Sequence, residues 1–177
     1  MSCDNVVFFH LEYAAKSNAI VEFGAIEVSV ETMSVMKTYQ TLIKPKDSIV
    51  STFDEQNGIT RQALKNASKF IDNHKMIYKS LDGKTWIGDN ITDIHIPRLM
   101  KAFRDIGKTP PRAKSTIDIR DMLKDNVELT RDQDMLRERE HRSVANCHAN
   151  LDVFMRCGAV LELEKILKEK MREPELK

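Results

Sequence analysis

The first apolar run of the chain ends in two side chains that can do chemistry. Val6-Val7-Phe8-Phe9 leads into His10-Leu11-Glu12, an imidazole and a carboxylate two residues apart. Val and Phe favour a strand, and the run is too short for a helix. Residues two apart in a strand point to the same side of the sheet, so His10 and Glu12 share a face. The C-terminal end of a central strand is where an α/β sheet opens its ligand crevice. An imidazole there can donate a hydrogen bond to a phosphate, more strongly at mildly acidic pH. Together with a carboxylate it can also hold a metal ion. The plainer reading is a solvated strand end, but the shared face makes the pair a candidate site.

The elements that must position this pair follow in order. Ala19 to Glu31 alternates apolar and polar residues and reads as a long strand, with Gly24 a candidate bulge. Val35 to Ile43 is another strand, joined to it through Met33-Ser34 as an antiparallel hairpin and stopped by Lys44-Pro45. Asn57-Gly58-Ile59 is a turn, Thr60 caps a short helix, and Ser68 caps a second helix carrying Phe70, Ile71, Met76, Ile77 and Leu81. Thr85-Trp86-Ile87-Gly88 is a short buried strand running into Asp89-Asn90. A third helix starts near Thr92, with Ile96, Leu99, Met100 and Phe103 at helical spacing and Pro97 tolerated in its first turns. Thr116 to Ile119 completes the strands. The expectation is a single α/β domain over residues 1–171, a mixed five-stranded sheet with helices on both faces, and a charged tail at 172–177.

Composition narrows the function classes. The 177 residues are 41% hydrophobic and 31% charged, with a formal net charge of +1, so no global field announces a nucleic-acid or membrane partner. Any basic surface must be local; Lys84, Lys101, Arg104, Lys108, Arg112 and Lys114 cluster in one third of the chain. Cys3, Cys147 and Cys157 are odd in number and lack metal-motif spacing, which favours a reduced compartment. No leader and no apolar run of membrane-spanning length is seen, so the expected location is the cytoplasm, with entry to the nucleus by diffusion.

Taken together, these stretches resemble the DEDDh (DnaQ-like) 3′-5′ exonucleases of ribonuclease H-like fold. The signature begins with an apolar strand ending Asp-x-Glu, matched by Phe9-His10-Leu11-Glu12. A strand similar to Ile20-Val21-Glu22-Phe23-Gly24-Ala25-Ile26 and a turn similar to Asn57-Gly58-Ile59 follow. Trp86-Ile87-Gly88-Asp89-Asn90-Ile91, Ala102-Phe103 and His141-Arg142-Ser143 resemble most the plant NEN exonuclease-domain proteins. The likeness runs from about Asn5 to Glu164 and thins between Lys124 and Glu140.

The resemblance implies four carboxylates binding two divalent metals, with a late histidine as general base. In this chain the first Asp position is His10, the Glu is Glu12, the second Asp position is His95, the histidine is His141 and the last Asp position is Asn146. Magnesium and manganese are hard ions that want anionic oxygen, and one carboxylate should not hold two of them. The expectation is therefore a catalytically degenerate protein that binds single-stranded nucleic acid, RNA rather than DNA, without cofactor and without efficient cleavage. His10, Glu12, His95, His141 and Asn146, with Asp89, Asn90, Lys101, Arg104 and Arg142, form the expected nucleic-acid site. The histidines would donate to a backbone phosphate.

Three alternatives stand beside it. The first is residual metal-dependent exonuclease activity. The second is a zinc or iron(II) site made from His10, Glu12 and His95. The third is a protein-interaction or dimerisation module. The end of the chain bears on the last of these. Arg131 to Cys157 has neither Gly nor Pro, and Thr130 with Gln133 suits a capping box. This predicts a final helix from near Arg131 with His141 on its body. At ~40 residues it would be about 60 Å long, and the excess would pack on a second copy as a homodimer.

Overall fold

The structure, a computed structural model, describes residues 5–124 and 142–161, with side chains through Cys157 in the second stretch. His141, the helix start expected near Arg131, the boundary at residue 171 and the charged tail lie outside the described residues.

A six-stranded mixed sheet carries the fold. Its strands are β1 (Asn5–Tyr13), β2 (Ile20–Ser29), β3 (Val35–Lys44), β4 (Ser68–Lys69), β5 (Thr85–Gly88) and β6 (Ser115–Asp118), in the order β4-β3-β2-β1-β5-β6. β1 is central, antiparallel to β2 and parallel to β5, and β5 is parallel to β6. The sixth strand, β4, is two residues long and bridges Ile43 and Lys44 at the end of β3. Ser68 therefore serves the sheet rather than capping the next helix, whose N-cap is Lys69 with Asp72 accepting its amide. The helices are α1 (Asp47–Thr52), α2 (Arg61–Asn66), α3 (Phe70–Leu81), α4 (Ile96–Asp105), α5 (Ile119–Leu123) and α6 (Ser143–Leu161), and a π-helical turn (Ile91–His95) leads into α4. Among the described residues no helix is long and apolar enough to cross a membrane.

Strand alternation sorts β1 into two cores. Val6 and Phe8 join Ile26, Val28, Ile87 and Ile117 under Cys147, Leu151 and Phe154 of α6, with Phe8 and Phe154 edge-on at 5.5 Å. Val7, Phe9 and Leu11 join Phe23, Ala25 and Trp86 against Ile77 and Leu81 of α3 and Leu99 and Phe103 of α4. Trp86 stands edge-on to Phe9 and donates its indole N–H to the Leu81 carbonyl at 2.8 Å. His10 and Glu12 extend the first of these faces beyond its apolar part. The residues paired with them on β2 are Gly24 and Glu22.

That pairing decides where α6 sits. Gly24 is in regular register with His10 and with Gln40 of β3, so it is not a bulge; the register shifts fall at Glu12/Tyr13 and at Glu27/Val28. Its missing side chain leaves room for Ser143, since a Cβ at Gly24 would lie 2.4 Å from the Ser143 hydroxyl and 2.7 Å from its carbonyl carbon. Glu22, fully buried, accepts from the Ser143 amide at 2.9 Å, the Ser143 hydroxyl at 2.8 Å and the Arg142 guanidinium in a bidentate pair. The strand carboxylate thus caps the helix from outside its own segment. Arg142 is not helical, and its carbonyl accepts the first helical bond, from the Asn146 amide at 2.9 Å. A helix continuing without a break through Arg142 is therefore corrected: α6 begins at Ser143 because Glu22 captures the backbone there. With it goes the length argument for a second copy.

Replacing Gly24 by Ala should force α6 away from β2 and lower stability by about 1–3 kcal/mol, the usual cost of overpacking; unchanged urea denaturation would show that the helix does not depend on this approach. Burial alone would raise the Glu22 pKa, but the Arg142 pair and the two Ser143 bonds outweigh it and hold the carboxyl below its ordinary 4.5. Its contribution is therefore complete above that value and is lost as pH falls through the depressed folded pKa. Glu22→Gln should cost about 1.5–3 kcal/mol near neutrality, the scale of hydrogen bonds to a charged group. The deficit relative to the parent should shrink in acid, and a deficit independent of pH would contradict the assignment.

Candidate functional site

The C-terminal ends of β1, β5 and β6 open into a cavity of about 480 Å³. Four of the expected residues from three different elements meet there: His10 and Glu12 from β1, His95 from the π-helical turn and Asn146 from α6. Asp89 and Asn90, which follow β5, also line it, with Tyr13, Gln56, Asn57 and Arg120. Lys101 and Arg104 do not. They are exposed on α4, outside the cavity lining, and Lys101 pairs with Asp105. Arg142 is not in the lining either, and its guanidinium is engaged by Glu22. Asp93 is exposed and is not part of the lining.

Glu12 is the hub. One carboxylate oxygen accepts from Asn146 Nδ2 at 3.1 Å and faces His10 Nε2 at 3.3 Å; the other accepts from Asn57 Nδ2 at 3.2 Å. Its partners are amides and an imidazole, which solvate the charge without opposing it with a permanent cation. The His10 and His95 rings stand with centroids 4.2 Å apart. His10 Nδ1 is buried and has no hydrogen-bond partner among the described residues.

His95 is nearly closed off from solvent, at 3% exposure. The turn that delivers it is held by Asp118 at the end of β6, which accepts from the Asn90 amide at 3.0 Å and the Thr92 amide at 3.3 Å. Asn90 turns the chain in the left-handed region at φ 52°. The Leu11 amide donates to His95 Nδ1 at 3.3 Å, so that nitrogen carries no proton. Burial, then His10, then Arg98 hold its pKa well below the ordinary 6.5. His95 is thus a neutral imidazole at physiological pH, not the phosphate-binding imidazolium that its residue type suggested.

Among the described residues the donor set does not fit a pair of hard cations. Glu12 and Asp89 are the carboxylates in the lining; Glu12 is hydrogen-bonded on both oxygens and Asp89 faces Arg120 Nε at 3.5 Å. Among the described residues no three His, Cys, Asp or Glu side chains are arranged to hold a metal. The His10, Glu12 and His95 alternative lacks that arrangement, and His95 Nδ1 is already an acceptor for the backbone.

Several lining residues were not singled out by sequence reasoning. Asn57 was read as a turn residue, and Asn57-Gly58 do turn in the left-handed region, but the side chain reaches Glu12. Arg120 follows β6 as Asp89 follows β5, and that shared strand-end position was the available signal. Tyr13 ends β1. The register shift between Glu12 and Tyr13 interrupts strict alternation, and Tyr13 lines the same cavity as its neighbour Glu12. Arg98 lies over its ring at 4.0 Å and is anchored by the Ile94 carbonyl at 3.0 Å and Asn18 Oδ1 at 2.7 Å.

Comparison with known proteins adds family and fold. The sequence model of the RNase T exonuclease family matches residues 6–154. The chain is 34% identical over 175 residues to Protein NEN3 of Arabidopsis thaliana, covering 90% of the chain and 35% of that protein. It is 34% identical over 180 residues to Protein NEN4 of the same plant, covering 93% and 71%. It thus spans about a third of one relative and under three quarters of the other. The nuclease domain of 3′hExo, a DEDDh family member bound to rAMP, superposes with a TM-score of 0.68 at 19% identity, over 92% of this chain and 95% of that one. Escherichia coli exonuclease I in complex with a dA13 oligonucleotide gives 0.70 at 13% identity, over 93% and 43%. These solved structures share the ribonuclease H-like fold.

The buried His95 has a measurable consequence. Its folded pKa is depressed, so below about pH 6.5 the unfolded chain binds a proton that the native chain does not. Stability should fall as pH drops from 7 to 5, with a slope from this residue approaching about 1.4 kcal/mol per pH unit. His95→Gln should flatten that slope in urea titrations. An identical slope in the variant would mean that His95 is already protonated in the native protein.

Proposed function

The chain belongs to the RNase T exonuclease family, and on that premise we propose that it is a catalytically degenerate member, binding single-stranded nucleic acid in the Glu12 cavity without efficient cleavage. The observation that carries this reading is the company of Glu12. Where the family resemblance expects further carboxylates, the chain has His10, His95 and Asn146, and the one carboxylate kept is hydrogen-bonded to neutral amides. Two-metal hydrolysis depends on anionic oxygens that fix the ions about 4 Å apart around a phosphate. A cavity with Asn, His and a single bound Glu offers hydrogen bonds to a substrate in their place. Asn90, Asn146 and His95 Nε2–H supply neutral donors, which need no metal and do not titrate near neutrality.

RNA is the favoured polymer. The fold neighbours include one bound to rAMP and one described in 3′-end recognition of a histone mRNA stem-loop, while the exonuclease I complex holds DNA. A cytoplasmic setting, with diffusion into the nucleus, agrees with the free buried thiols of Cys147 and Cys157.

Labelled single-stranded RNA and DNA, incubated with the purified protein and magnesium, manganese or chelator, should be retarded in native gels and recovered full-length. RNA should bind more tightly. Progressive shortening from the 3′ end that needs magnesium would restore the enzyme. Absence of retardation for both polymers would leave the family's fold as an interaction module. Because His95 stays neutral, affinity should change little between pH 6 and 8; a loss of binding across that range would return the imidazolium mechanism.

A further inference from the structure

A phosphate entering this cavity meets two carboxylates, Glu12 and Asp89, and no metal charge is available from the donor set to offset them. Among the described lining residues the side chain with a permanent positive charge is that of Arg120. Its backbone amide is fixed by Asp118 at 3.1 Å, while its half-exposed guanidinium meets Asp89 at 3.5 Å, a loose pair that an incoming anion can join. The same cavity has one aromatic residue besides the two histidines, Tyr13. Tyr13 is pinned in place: Arg98 covers one side of its ring and is itself held by Ile94 and Asn18. A ring fixed in that way loses little freedom when a flat partner stacks on it.

Topology supplies the spacing. Tyr13 ends β1 and Arg120 follows β6, with β5 lying between them. Two inter-strand steps set β1 and β6 about 10 Å apart, and both side chains line the one cavity at those strand ends, a span on the scale of one nucleotide from base to phosphate. The geometry points to a metal-independent nucleotide subsite in which Tyr13 stacks on a base and Arg120 takes the adjoining phosphate. This rests on the cavity being a nucleic-acid site, and it names the residues that choose the ligand: an aromatic platform tolerant of any base and an arginine in the role that metal ions have elsewhere in the family.

The test uses the whole chain and a short oligoriboadenylate, compared with the same strand carrying abasic residues at its 3′ end, in fluorescence anisotropy over a salt series. The wild-type protein should prefer the intact strand by about tenfold, the scale of one base–aromatic stack. Tyr13→Ala should abolish that preference and Tyr13→Phe should keep it. Arg120→Gln should reduce the dependence of log affinity on log salt by about 0.7, one phosphate contact on a single strand, while leaving the intact-versus-abasic preference in place. Thermal denaturation of each variant identifies misfolding, and in that event Tyr13→Trp and Arg120→Lys, which keep a ring and a charge, decide the question in the same assay. If Tyr13→Ala still distinguishes the two strands, or Arg120→Gln keeps the wild-type salt slope, the subsite is wrong although the cavity can remain a nucleic-acid site. If the wild-type protein binds neither strand, the subsite and the proposed function fall together.

Discussion

The capture of α6 by Glu22 is the interaction on which the rest of the structure depends. A carboxylate buried in a sheet must find several donors, or the cost of removing it from water would be prohibitive. Glu22 finds the Arg142 guanidinium, the Ser143 amide and the Ser143 hydroxyl, all at the start of one helix. Those groups come from a segment some 120 residues later in the chain, so satisfying the charge also closes the fold. Gly24, two residues along β2, removes the side chain that would hold the helix off. Once α6 is seated, Cys147, Leu151 and Phe154 bury against Phe8 and Ile87, and Asn146 is carried to Glu12.

The register of β1 and β2 puts two carboxylates opposite each other, Glu12 against Glu22, with contrasting fates. Glu22 faces a cation and backbone donors and is held below the ordinary carboxylate range, first against burial and then through Arg142. Glu12 faces amides and imidazole across a cavity open to solvent. The first carboxylate is structural and the second stands where a ligand can reach it. The π-helical turn serves that second role. Its wider winding brings His95 inward against His10, and the Leu11 amide and burial keep it neutral.

The arrangement keeps the crevice of an exonuclease fold, and what we propose to differ is its chemistry. Strand ends, the Asp118-held turn and the docked helix all converge as a metal site would require. Among the described residues, the groups delivered to the cavity are amides and imidazoles around the Glu12 carboxylate, with Asp89 paired to Arg120. Such a surface can recognise shape, hydroxyls and stacked rings at low cost in charge, whereas holding two divalent ions takes several anionic oxygens in fixed geometry. The scaffold and the chemistry are therefore separable, which is why family membership establishes the first and not the second.

The sequence by itself determined the strand pattern, because alternation and apolar runs report which faces are buried, and five of the six strands are local in that sense. It also determined that His10 and Glu12 share a face. His95 and Asn146 became visible by resemblance, since nothing in their local sequence links them to Glu12. What only the tertiary structure decided are the long-range partners. Glu22 read as the polar half of an alternating strand, Arg142 as a nucleic-acid contact, and Arg131 to Cys157 as one helix free of breakers. Helix propensity is a local quantity, so it could not register a cap supplied by a carboxylate from β2. The protonation of His95 was hidden for the same reason: it is set by burial and by the Leu11 amide, neighbours that the chain acquires only when it folds.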